Sequence, residues 1–184
     1  MENPPIPFEL RNYFQLLERV NAHASGVESR FASRMRCAPG CDGCCLHISV
    51  FPVEAAAIRF TLGKLPRPEL ERLVRACEGA DDSPRCPLLR DGLCGIYQAR
   101  PLICRTHGLP LLVEDEEGRR VDFCPLNFNG LNHLPSDAVL SLATLNQTLA
   151  AVNALYVKQT QAPEAPERIL LARVLREFAA TQER

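Results

Sequence analysis

Tryptophan is absent from the 184 residues, methionine occurs twice and tyrosine three times, and the only lysines are Lys64 and Lys158. So few aromatic rings offer no stacking platform for a single nucleic-acid strand. Acidic and basic residues nearly balance, 22 against 21, for a formal charge of −1, and no block of five or six like charges occurs. Neither a nucleic acid nor an anionic membrane surface is therefore expected as a partner, although a protein partner stays open. Long apolar runs are missing too. The longest charge-free stretch, Ala138 to Val157, contains Ser141, Thr144, Asn146, Gln147, Thr148 and Asn153, too polar for an unassisted membrane span. The opening Met1-Glu2-Asn3-Pro4-Pro5-Ile6-Pro7 lacks the basic stretch and apolar core of an export signal, so the expected compartment is the cytosol. There is no internal repeat, low-complexity segment or glycine-rich phosphate loop, and no Gly-x-Gly-x-x-Gly follows a strand pattern. No nucleophile–base pair, carboxylate pair or triad stands out, and no catalytic residue is assigned.

Cysteine is what the chain has in excess: nine residues. Stable disulfides are rare in a reducing cytosol, nine is an odd number, and a chain of this length can bury a core without cross-links. Thiolates bound to metal are the favoured reading. Cys37, Cys41, Cys44 and Cys45 form a Cys-x3-Cys-x2-Cys-Cys loop among Pro39, Gly40 and Gly43. The glycines permit the tight turns that let sulfurs converge, and Pro39 limits the entropy lost on ordering the loop. A second set follows at Cys86, Cys94, Cys104 and Cys124, so eight candidates would make two tetrathiolate sites. Cys77 is set aside, because Leu70, Leu73, Val74 and Cys77 share one face of a helix and the thiol then acts as a small buried hydrophobe.

Consecutive side chains diverge in extended structure, so Cys44 and Cys45 either serve different sites or one is a spare; the loop is expected to place three sulfurs on one centre and pass a fourth to another, with the two cysteine sets interleaving in space. Eight thiolates and two divalent ions would bring the formal charge to about −5. Arg34, Arg36, Arg85, Arg90, Arg100 and Arg105 lie near candidate ligands and could compensate, Arg100 or Arg105 by donating to sulfur. His47 and His107 are weaker candidates as ligands or donors, and Tyr97 could reach a sulfur or simply pack beside Ile96. Soft all-thiolate ligands select zinc or iron–sulfur and exclude magnesium and calcium. The compact loop favours an iron–sulfur cluster, of the 4Fe-4S type, over zinc.

With Cys86-Pro87-Leu88 and Cys94-Gly95-Ile96-Tyr97-Gln98-Ala99-Arg100-Pro101-Leu102-Ile103-Cys104-Arg105 added to the loop, residues 37 to 125 resemble the YkgJ-type cysteine cluster proteins, also described as the CxxCxxCC zinc- or iron-chelating domain. The resemblance implies a metal centre built on the shared cysteines. A related module in flagellin lysine N-methylases, where an iron–sulfur cluster is implicated, adds an S-adenosylmethionine-dependent protein-lysine methylase as an alternative. A third alternative is a structural zinc adaptor that binds another protein. The first gap is Cys-x3-Cys where the family's short name has Cys-x2-Cys, which bears on the placement of Cys37. The spacing Cys37-x3-Cys41-x2-Cys44 also resembles the cluster loop of radical S-adenosylmethionine enzymes, but the strand–helix repeats of their barrel are missing.

The expected fold is a mainly α, small single domain over 1–184. Its flanking helices, in 1–36 and 135–184, form a scaffold around an irregular cysteine-rich metal-binding region, 37–125, with a short β-hairpin. Apolar spacing predicts a helix over 8–31, a second from Pro52 to a cap at Gly63, and a third started by Pro68. Leu109 to Val113 and Arg119 to Phe123 flank Glu114-Asp115-Glu116-Glu117-Gly118 as a hairpin with a solvated acidic turn that delivers Cys124. Ser136 or Asp137 would cap a helix whose stripe of Leu142, Leu145, Leu149, Val152 and Tyr156 faces the core rather than a dimer partner. After Pro163 and Pro166, a last helix turns Leu171, Val174 or Leu175, and Phe178 inward.

Overall fold

Apolar residues at three- and four-residue spacing wind the N-terminal segment into a 3-10 turn, Phe8–Leu10, and helix α1, Arg11–Arg30, which buries Tyr13, Leu17, Val20, Ala24 and Val27. The computed structural model describes residues 4–131 and 133–182. Helix α2, Pro52–Leu62, starts with proline in its first turn and is capped at Gly63, as the spacing predicts. It is apolar nearly all round, and a helix of that kind belongs at the centre of a fold. On one side Val53 and Ala57 pack with Leu10, Tyr13, Leu17, Leu102 and Leu149. On the other, Ala55, Ile58 and Leu62 pack with Leu73, Val174, Leu175 and Phe178. Ile58, Leu62, Val174 and Leu175 are each 1% exposed or less. Burial of each contributes about 1.5–3 kcal/mol.

Helix α3, Arg67–Ala76, ends at Cys77, which is completely buried in the second of these cores, as expected of a hydrophobe. Helix α5, Leu142–Gln159, lays Leu145, Leu149, Val152 and Tyr156 against α1 and α2, so its stripe is satisfied within the chain. Helix α6, Leu171–Gln182, buries Leu171, Val174, Leu175 and Phe178. It packs on α2 and α3, whereas the helical pattern predicts a scaffold of the first and the last two helices. The physical reason is the double-sided apolar surface of α2. Strand β7, Ile169–Leu170, pairs antiparallel with β1, Ser49–Val50, and hands α6 to the α2 face that α1 and α5 leave open.

Two further strands, β2 (Leu89–Arg90) and β3 (Leu93–Cys94), form a hairpin around Asp91 and Gly92, whose φ values of 48° and 74° define a type I′ turn. Between this hairpin and the next lies the short helix α4, Leu102–Thr106. The expected acidic hairpin is present as β4, Leu111–Asp115, and β5, Gly118–Asp122, and it leads directly to Cys124. Its turn is tighter than predicted, because Glu114 and Asp115 continue the strand and pair ionically with Arg119 and Arg120. Strand β6, Leu140–Ser141, adds to β4 in parallel. That pairing delays the start of α5. Ser136 and Asp137 sit in a 3-10 turn, and the helix cap is Ser141, whose hydroxyl accepts from the Thr144 N–H at 3.2 Å. A smaller core of Ala24, Val27, Leu109, Phe128 and Ala138 lies beneath the segment that follows the hairpin. Among the described residues, no helix is long and apolar enough to cross a membrane.

Candidate metal centre

Backbone pairing brings distant cysteines side by side. Leu46 bridges antiparallel to Arg85, the Cys86 N–H donates to the Cys45 carbonyl at 3.1 Å, and the His47 N–H donates to Pro84 O at 3.1 Å. Cys86 then opens the β2–β3 hairpin, in which Cys94 stands opposite Leu89. Cys104 arrives on α4, whose first N–H, from Leu102, donates at 3.0 Å to the buried carboxylate of Glu54 on α2. The other carboxylate oxygen of Glu54 accepts from the Phe51 N–H at 3.0 Å and so caps its own helix. One buried acid thus ties the start of α2 to the helix that carries Cys104.

Cys45, Cys86 and Cys104 each lie close enough to neighbouring cysteines, Cys94 among them, for those neighbours to oppose their ionisation. Burial and then the neighbouring Cys44, Cys86 and Cys94 push the Cys45 thiol up to about 11. Burial, with Cys94, Cys86 and Cys45 adding to it, pushes Cys104 up to about 12. Cys86 is raised in the same way. Half-buried thiols crowded together stay neutral near neutral pH and a cation placed among them would favour their thiolates, so the chemistry of this donor set fits a thiophilic metal or cluster. Among the described residues, no three Cys, His, Asp or Glu side chains stand in a closed metal-ligating constellation.

A second pair of cysteines meets elsewhere. At Gly108, where φ is +85°, an added β-carbon would lie 2.9 Å from the Cys37 sulfur, 2.9 Å from Asn127 Nδ2 and 3.6 Å from the Cys124 β-carbon. Only glycine tolerates both that backbone conformation and that crowding. Cys37 is exposed and Cys124 half-buried, while Cys41 and Cys44 are exposed on the same loop as Cys37. Cys77 lies in the core close to Cys86, and burial pushes its thiol up to about 11.

Arg100 and Arg105, near candidate ligands, mainly hold backbone. Arg100 donates from Nε to Tyr97 O at 3.1 Å and stacks its guanidinium 3.6 Å from the centre of the Tyr97 ring. Arg105 donates to Arg100 O at 2.8 Å, to Gln98 O at 2.7 Å and to Asn21 Oδ1 at 3.0 Å, fastening the turn before Cys104 to α1. Arg85 pairs with Asp42 of the cysteine loop at 2.8 Å. Among the described residues, the side chain that hydrogen-bonds a cysteine sulfur is Asn127, at 3.2 Å from Cys37 Sγ. Sequence reasoning missed both Asn127 and Glu54. An asparagine three residues after Cys124 was the available signal for the first; nothing local marks the second. Nε2 of His47 accepts from the Ala172 N–H at 3.3 Å at the start of α6, so the imidazole serves packing there. His107 is exposed just after α4.

The cysteine loop is seated on the β2–β3 hairpin by glycine against glycine. Gly40 N–H donates to Gly92 O at 3.1 Å, and a β-carbon on Gly92 would lie 2.8 Å from the Gly40 α-carbon. Gly92→Ala is therefore expected to cost about 1–3 kcal/mol through positive φ and backbone collision. It should also lower metal uptake by shifting the loop away from Cys94. Thermal melts with metal analysis check this, and wild-type values for both would disprove the seating role.

These features define a thiol-rich chelating domain held between helical cores. Residues 36–125 match the family model described as "CxxCxxCC: Putative zinc- or iron-chelating domain", so this central stretch is similar to that family. No curated protein and no solved structure is significantly similar to the chain.

Proposed function

We propose that the protein is a cytosolic cysteine-cluster metalloprotein that binds an iron–sulfur cluster or zinc through up to eight cysteines: Cys37, Cys41, Cys44, Cys45, Cys86, Cys94, Cys104 and Cys124. The observation that carries this reading is the approach of Cys45, Cys86, Cys94 and Cys104, all half-buried and from three separate segments, to within electrostatic reach, without a closed ligand shell, so that their thiolate forms would repel one another. A metal turns that repulsion into attraction, with each sulfur deprotonating on binding. On this reading Cys45 belongs to this set and its exposed neighbour Cys44, like Cys37 and Cys41, does not. An iron–sulfur cluster would supply electron transfer or activation of a bound group, and zinc would supply structural closure.

Purification without oxygen, followed by measurement of iron, zinc and acid-labile sulfide per chain, tests the proposal. About four iron and four sulfide per cluster, with visible absorption that bleaches on reduction, identifies the iron–sulfur form. Zinc without sulfide identifies a structural chelator. A chain that retains neither metal and takes up neither on reconstitution refutes both.

A further inference from the structure

Asn127 is completely buried, and its amide is saturated in one orientation. Its Oδ1 accepts the Arg36 N–H at 2.8 Å, and its Nδ2 donates to the Gly108 carbonyl at 2.9 Å. The backbone partners fix which end is which: the N–H of Arg36 requires an oxygen, and the carbonyl of Gly108 requires the NH2 group. One amide hydrogen is left, and Nδ2 stands 3.2 Å from the Cys37 sulfur. The residue's own N–H donates to the Cys124 carbonyl at 2.8 Å. A single side chain and its backbone therefore touch the loop before Cys37, the Cys37 sulfur, the Gly108 turn and the Cys124 turn. A neutral thiol sulfur is a weak acceptor, whereas a thiolate accepts a charge-assisted bond roughly twice as strong as a neutral one.

We propose that Asn127 is the positioning residue of a second thiolate site, distinct from the buried set, at which Cys37 and Cys124 are ligands for a soft divalent cation or an iron–sulfur cluster. The proposal rests on the reading that the cysteines chelate metal. Asn127 aims the Cys37 sulfur and hydrogen-bonds its thiolate form. Cys41 and Cys44, on the same exposed loop, are available to complete the ligand set.

Zinc binding to the full-length, reduced, metal-free chain tests this, measured by competition with a chromophoric chelator. Asn127→Ala is expected to weaken one class of bound zinc by about 10–100-fold and leave the other class unchanged. Cys37→Ser should weaken the same class. In the double variant Asn127→Ala should add nothing to the loss caused by Cys37→Ser, because both act through one sulfur. A purely structural role predicts instead an Asn127→Ala penalty that persists undiminished in the Cys37→Ser background, or a lowered melting temperature with zinc affinity intact; either result overturns the proposal. Should Asn127→Ala fail to fold, the nitrogen-15 spectrum of the wild-type chain decides. The Asn127 side-chain amide should shift on zinc loading and stay unmoved in Cys37→Ser, and an amide unmoved in the wild type overturns the proposal. Wild-type zinc binding by Cys37→Ser overturns the proposal while leaving chelation at the buried set standing; a wild-type chain that binds no zinc or iron overturns both.

Discussion

On the proposed reading, Cys45→Ser is expected to empty the half-buried thiol set of its metal. Serine keeps the shape but offers a hydroxyl that does not ionise near neutral pH, so one of four anionic ligands is lost. The expected fall in metal affinity exceeds the ~10–100-fold typical when a group hydrogen-bonded to a ligand is removed. Cys45 matters more than its exposed neighbours because its backbone is paired to Cys86 and its sulfur is within electrostatic reach of Cys86, Cys94 and Cys104. The two main helical cores do not involve Cys45, so far-ultraviolet circular dichroism should keep its helical signal. Cys77→Ala supplies the contrast. That thiol is completely buried in an apolar core, so its removal should cost about 1–2 kcal/mol and leave metal content unchanged. Equal metal loss in the two variants would mean that general destabilisation, rather than ligation, controls uptake.

Glu54→Ala should be strongly destabilising. It orphans the N–H groups of Phe51 and Leu102 and frees the Tyr13 hydroxyl, which donates to the carboxylate at 3.4 Å. Two unsatisfied buried donors and a small cavity together cost about 3–5 kcal/mol. For a chain of this size that is a fall in melting temperature on the order of 10 °C. Metal uptake should fall as well, since the start of the helix bearing Cys104 loses its anchor. The same residue sets a pH dependence. Burial raises the Glu54 carboxyl above its ordinary value of 4.5, with the Phe51 and Leu102 N–H groups opposing that shift. The folded chain therefore holds this proton more tightly than the unfolded chain, and the associated stability is complete below pH 4.5 and lost as pH rises through the folded value. Melting temperatures of wild type and Glu54→Gln compared across pH should show the wild type's relative stability declining as pH rises. A relative gain with pH would show that the carboxylate form is the one the fold favours.

Where local pattern and tertiary need agree, the sequence is a good guide. The stripes of α1 and α6, the prolines that open α2 and α3, and the acidic hairpin before Cys124 follow from spacing and turn chemistry. Cys77 is legible for the same reason, because its helical face predicts a buried thiol. The Asp91-Gly92 turn of β2–β3 was equally local, a hairpin signal that passed unread because each flanking strand is only two residues long.

Other features depend on which distant segment arrives. The start of α5 is displaced to Ser141 because Leu140 and Ser141 are drawn into a strand beside β4. The central position of α2 needs both of its apolar sides to find partners, and the β1–β7 pairing selects α6 for one of them. Arginines near the cysteines could neutralise sulfur or brace backbone, and packing settles on bracing for Arg100 and Arg105.

By itself the sequence pointed to the kind of chemistry: eight cysteines apart from one core thiol, a glycine-bearing loop, and residues 36–125 that match a model for zinc- or iron-chelating domains. Ligand type and spacing are properties of the chain, so they survive without coordinates. Tertiary structure decided which cysteines approach one another: Cys45 comes within electrostatic reach of Cys86, Cys94 and Cys104, and Cys37 and Cys124 both lie near Gly108 and Asn127. Grouping is a matter of distances between segments far apart in the chain, and those distances are set by helix packing and strand pairing rather than by any residue's neighbours in sequence.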